Sequence, residues 1–134
     1  MSAAQPRRKR GTIAEVPITA EAIVDAAFRM IDERGNVGFS MRALALELEV
    51  FPATLYWHVG DRARLLGLVE ERWIRTVETP DDIDDFGEWT LELGRRYRRA
   101  AHPHPNIARL PTLERARNTA NPTTPAAIIR KLAP

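Results

Sequence analysis

Apolar residues return along this chain with a helical period, first at Ile23, Ala26, Ala27, Met30 and Ile31, spaced i, i+3, i+4, i+7 and i+8. One face of a helix turning every ~3.6 residues satisfies that spacing. Thr19 stands in front as a cap, and Ile18 before it is placed to staple onto Ile23. Gly35 supplies the left-handed residue that ends this helix, and Asn36 to Phe39 make a connection. Ser40 then caps a second, short helix with Met41, Leu44, Ala45 and Leu48 on one face. Pro52 suits the first position of a third, because the first turn leaves its missing N–H unused, and Gly60 stops it. Asp61 caps a fourth helix carrying Leu65, Leu68, Val69, Arg72 and Trp73 on one side as far as Thr79 and Pro80.

An acidic linker from Asp81 to Asp85 leads to a fifth predicted helix, from about Asp85 to Ala101, with Phe86, Trp89, Leu93, Tyr97 and Ala100 along its apolar stripe. His102-Pro103-His104-Pro105 breaks it. Beyond Pro111 the pattern weakens, and only Ala126 to Leu132 suits a last short helix. Residues 1–17, with Pro6, Gly11 and Pro17 and no periodicity, read as a flexible basic arm. Nothing in the pattern suggests strands or repeats, so the expected class is all-α.

Composition narrows the function. The chain has 134 residues, 44% hydrophobic and 28% charged, enough for one globular domain with a packed core or for one small domain plus part of another. It contains no cysteine, so neither disulfides nor thiolate chemistry is available. No apolar run approaches the ~20 residues that span a bilayer, so no membrane role and a cytoplasmic location are expected. Serine occurs only at Ser2 and Ser40 and histidine only at His58, His102 and His104, which offers no catalytic triad and no metal tetrad. The reading is therefore of a protein that is not an enzyme and needs no metal or cofactor. His102 and His104 suit a helix terminus better than a metal site, and Asp81, Asp82, Asp84 and Asp85 a solvated loop.

A net charge of +2 does not by itself name a polyanionic partner, but its distribution matters, with Arg7, Arg8, Lys9 and Arg10 consecutive in the arm. Downstream, two short helices joined by a tight turn and covered by a longer helix form a helix-turn-helix arrangement. Val50, Leu55 and Val59 supply a back face for the third helix, leaving Pro52, Ala53, Thr54, Tyr56, Trp57 and His58 outward. Exposed aromatic area normally meets a partner or packs on a neighbouring helix.

Residues 18–66 resemble the DNA-binding domain of the tetracycline-repressor-like (TetR) family. The resemblance lies in Phe39-Ser-Met-Arg-Ala-Leu-Ala followed by Pro52-Ala-Thr-Leu-Tyr-Trp-His-Val59, and the spacing from Arg42 to Tyr56 agrees with it. It implies a transcriptional regulator of double-stranded DNA, a repressor relieved by a small-molecule inducer. It further implies that Arg42 grips a base edge, that Pro52, Ala53 and Tyr56 meet base edges or thymine methyls, and that Ser40, Thr54, Trp57 and His58 hold phosphates. Arg62 matches a phosphate-contacting lysine at a helix N-terminus. The arm residues Arg7, Arg8, Lys9 and Arg10 are candidates for a minor groove.

Two departures qualify the resemblance. Glu49 stands where the turn usually has glycine, and the Pro52-Ala53 pair differs from the Gln-Pro of the tetracycline repressors, which implies a different operator sequence. The family also forms homodimers on palindromic operators through C-terminal helices. Residues 67–134 suit a connecting helix and only the start of that incomplete helical domain, so a truncated or short product without the dimerising helices is expected. Trp89, Tyr97 and His104 are its candidate inducer-lining residues. The rival reading is a dimerisation-deficient fragment with weak DNA binding, or a protein-interaction module working through the fifth helix.

Overall fold

The computed structural model describes residues 17–110, which form α1 (Ala20–Arg34), α2 (Met41–Glu47), α3 (Pro52–Val59), α4 (Arg62–Ile74), α5 (Phe86–Ala101) and α6 (Pro105–Ala108). The basic arm at residues 7–10 and the predicted helix Ala126 to Leu132 lie outside these residues. Among the described residues there is no strand, and no helix is long and apolar enough to cross a membrane.

Side-chain caps explain where the helices start. Thr19 Oγ1 accepts from the Ala22 N–H at 3.1 Å, Ser40 Oγ from Ala43 at 3.0 Å, Asp61 Oδ1 from Arg64 at 2.8 Å and Asp85 Oδ1 from Glu88 at 2.9 Å. Each bond satisfies a first-turn N–H that has no partner within its own helix. Gly35 and Gly60, with φ of +74° and +75°, end α1 and α3 in a backbone conformation that a Cβ would strain. Both turns close a last bond, from Gly35 N–H to Ile31 O at 2.7 Å and from Gly60 N–H to Tyr56 O at 2.9 Å.

Among the described residues, the buried apolar side chains other than Trp89 form one contiguous cluster. From α1 it takes Ile23, Val24, Ala26, Ala27, Met30 and Ile31, and from α4 Leu65, Leu66, Val69, Trp73 and Ile74. Met41, Leu44, Ala45, Leu55 and Val59 bring α2 and α3 into it, with Phe39 from the connection. Ile107 and Leu110, both fully buried, join from the far end of the chain, where α6 packs on α1, α4 and α5. Burying a side chain of this kind stabilises by about 1.5–3 kcal/mol. α4 therefore passes residue 66 unbroken, and its second half shares a core with α1.

Two elements differ from the pattern's expectation. α4 stops at Ile74 and does not reach Thr79 and Pro80. Thr76 and Val77 turn back in tight i to i+3 bonds to Trp73 O (2.9 Å) and Ile74 O (3.0 Å), and the Thr76 hydroxyl donates to Trp73 O at 2.7 Å. A β-branched pair with a hydroxyl that competes for helix carbonyls favours that exit. The second difference is α6, which the periodicity did not predict. Four residues hold too little pattern, yet His104 at its N-cap and Pro105 at its start set Ile107 into the core.

Candidate nucleic-acid interface and adjoining cavity

The short α3 is amphipathic in an unusual sense, because its outer side is aromatic instead of charged. Leu55 and Val59, one turn apart, are fully buried against α1 and α2, while Pro52, Ala53, Tyr56 and Trp57 are exposed. Trp57 keeps 82% of its surface in solvent and Tyr56 50%. Thr54 and His58 are half-buried, and the His58 ring meets Trp57 edge to face at 4.8 Å. Phe51 occupies the N-cap of α3, where polar residues are preferred, makes no capping bond and is 82% exposed. The sequence reading passed over Phe51, and the signal available was the mismatch between an aromatic residue and a capping position.

α2 contributes two of the expected residues. Ser40 uses one oxygen lone pair on the cap of α2 and retains an O–H that can donate outward. Arg42 is exposed in the first turn of α2 and makes no hydrogen bond or ion pair with the described residues. In the turn between α2 and α3, Glu49 has φ +55°, so the strain expected for a non-glycine residue there is present.

Arg62 sits differently from the other candidates. Its guanidinium donates to Asn36 Oδ1 at 2.7 Å and lies 5.6 Å from the centre of the Phe39 ring, so it ties the start of α4 to the α1–α2 connection. It is half-buried and pre-oriented, with donors remaining for an anion. Asn36, which holds it, was not singled out from sequence.

A cavity of about 610 Å³ opens between α1, the end of α4, and α5. Phe28 and Trp73 form aromatic walls, with Arg96, Arg99, Glu78 and His104 among the lining residues. Of the three residues expected to line a ligand site, His104 lines this cavity. Tyr97 instead packs edge to face on Trp73 at 5.1 Å. Trp89 is buried and stacks on Phe86 at 6.3 Å, three turns of α5 before Ala100, the stripe residue that does line the cavity. His104 also reaches α1, with Nδ1 2.8 Å from Asp32 Oδ2, and Asn106 Nδ2 donates to the Asp32 carbonyl at 2.9 Å. Among the described residues no group of three or more His, Cys, Asp and Glu side chains could hold a metal ion.

Comparison with known proteins follows the same division. Residues 23–69 match the family model described as bacterial regulatory proteins, tetR family. The structure of BioQ with its natural double-stranded DNA operator superposes with a TM-score of 0.73 and 31% identity, covering 86% of this chain and 68% of that one. The chain belongs to the TetR family. Another member, ActR from Streptomyces coelicolor in complex with actinorhodin, is 34% identical with a TM-score of 0.71, over 86% of this chain and 53% of ActR. Among curated TetR relatives, the HTH-type transcriptional repressor DrrR1 of Streptomyces coeruleorubidus is 37% identical over 76 residues, which is 57% of this chain and 28% of that protein. The chain spans less than half the length of the curated relatives it matches. The model match covers α1 to most of α4, the part of the TetR chain that carries Arg42, the α3 face and Arg62.

Proposed function

We propose that this chain is a sequence-specific, DNA-binding transcriptional regulator, a repressor whose grip on DNA is relieved by a small molecule. The observation that carries the reading is α3 itself, with Leu55 and Val59 sealed in the core and Pro52, Ala53, Tyr56 and Trp57 held outward on a rigid back. A helix of that size fits the major groove, where its N-terminal residues meet base edges. Arg42 joins them on a base edge, Ser40, Thr54, Trp57 and His58 hold phosphates, and Arg62 grips a phosphate from the start of α4. Arg7, Arg8, Lys9 and Arg10 reach a minor groove or the phosphates beside it. Two copies acting as a homodimer on a palindromic operator in the cytoplasm complete the reading, with the small molecule in the cavity that His104 lines. Support comes from relatives that were solved with a DNA operator and with a small molecule.

The test is fluorescence anisotropy of the purified chain on its own upstream intergenic DNA and on a scrambled duplex, at two salt concentrations. A preference of about a thousandfold for the upstream DNA is expected of a working regulator. Binding that is equally weak on both and collapses with salt would reduce the role to phosphate contact alone.

A second reading rests on Phe86 and Leu91, which α5 leaves 42% and 57% exposed on different sides of the helix. Exposed apolar side chains of this size suit another protein chain. Sedimentation at micromolar concentration separates the two. A homodimer supports the operator model, whereas a monomer removes its two-fold half and favours α5 as a docking face for a different protein.

A further inference from the structure

Resting on the reading of α3 as the helix that enters the major groove, we propose that Phe51 sets part of the operator sequence by packing its ring on the C5 methyl of a thymine. Phe51 stands at the N-cap of α3, directly before Pro52 and Ala53, and all three are exposed. Its ring keeps 82% of its surface in solvent and, among the described residues, meets no other aromatic ring. It gives the helix no capping bond, where a serine or aspartate side chain would satisfy a first-turn N–H. The described fold thus gains little from this side chain. A local rule broken without a return inside the fold is expected at a functional position.

The ring is nevertheless held in a fixed place. Pro52 confines the residue before it to extended backbone, and Phe51 has φ −73° and ψ 142°. Its carbonyl accepts from the Thr54 N–H at 2.9 Å, so the main chain is also held from the helix side. Leu55 and Val59 anchor the helix itself in the core. The aromatic group is therefore presented at the end of α3, the end whose residues meet base edges in a helix-turn-helix. Chemistry then selects what it reads. Phe51, Pro52 and Ala53 carry no side-chain donor or acceptor, so their side chains exchange no hydrogen bond with a base edge or a phosphate. The apolar feature of the major groove is the thymine methyl, and phenylalanine is among the residues suited to contact it.

A mutant cycle on the intact chain, read by the anisotropy titration, tests this. The upstream duplex is remade with each thymine in turn replaced by deoxyuridine, which lacks only the methyl. At one position the replacement should weaken wild-type binding about fourfold, the worth of one methyl taken out of water. Phe51→Ala should bind the unmodified duplex weaker by at least that factor, bind scrambled DNA as the wild type does, and be indifferent to deoxyuridine at that position. Phe51→Ser, which supplies a capping hydroxyl, should lose the same factor on DNA yet melt above the wild type. Unchanged affinity of Phe51→Ala, a loss shared equally by scrambled DNA, or a cycle that is additive at every thymine would overturn the assignment. So would a lower melting temperature for Phe51→Ser, which would make the ring a contact of the fold. A wild-type chain with no preference for the upstream duplex sinks the regulator reading and this contact with it. A preference that Phe51→Ala leaves intact sinks the thymine contact alone.

Discussion

At the scale of single residues, two positions of this chain work against local preference. Glu49 holds a left-handed backbone that glycine adopts freely, so Glu49→Gly should raise stability by about 1 kcal/mol, read as a shift in the urea midpoint at constant slope. No change would mean that the Glu49 side chain compensates its own strain. Arg42 is the opposite case, an exposed cation that contributes nothing to the described fold. Arg42→Ala should leave the melting temperature within a degree or two and cost about 1–3 kcal/mol of operator binding, relaxing choice at one base pair. Arg62→Ala should instead weaken specific and random DNA alike. It should also lower stability, because the bond to Asn36 and the contact with Phe39 go with it. If Arg42→Ala and Arg62→Ala acted identically on both duplexes, the division into base and phosphate roles would fail.

Secondary-structure elements show why some of this was legible in advance and some was not. α1, α2 and α3 were readable because their ends are written in residue types, Thr19 and Ser40 as caps and Gly35 and Gly60 as stops, and α5 because its apolar stripe repeats with a helical period. The outward face of α3 followed from the burial of Leu55 and Val59 alone. α6 was not readable, since four residues carry no period and Ile107 is recognisable as core only once α1 and α4 are in place. The cavity was hidden for a related reason. Its lining runs from Phe28 to His104 across α1, α4, α5 and the loop before α6, so no local spacing announces it. Weight on α6 can be measured: Ile107→Ala should cost about 2–5 kcal/mol, and a loss under 1 kcal/mol would mean that α6 is a peripheral turn. On α5, the hydrogen bond from Arg96, joined by Arg99 and opposed by partial desolvation, holds the Glu92 carboxyl below its ordinary value. A depressed carboxylate contributes stability that is complete above the unfolded value and is lost as pH falls through the folded one. Glu92→Gln should accordingly flatten part of the acid limb of a stability-against-pH curve and leave the neutral region's slope unchanged.

For the whole molecule, the single core matters more than the boundary expected near residue 66. α4 begins at Arg62, which lies beside the α3 end of the fold, and finishes at Trp73 and Ile74, which line the cavity or pack beneath it. α6 packs on α1 as well as α4, and the His104–Asp32 and Asn106–Asp32 contacts add polar ties to the same junction. Occupancy of the cavity and the placement of α3 thus draw on one packed body. A ligand there should raise the melting temperature of the entire chain in a single transition. Two separate transitions, one of them insensitive to ligand, would show that the ends fold independently.

The three tryptophans occupy environments that differ sharply, with Trp57 open to water and Trp73 and Trp89 only 1% and 2% exposed. The chain consequently carries its own optical gauge. Iodide in solution should extinguish the long-wavelength emission of Trp57 and spare the two sheltered indoles, and a bound duplex should shield Trp57 from the quencher. Docking of α3 can be followed this way on the unlabelled protein, without a dye that might disturb the surface being measured.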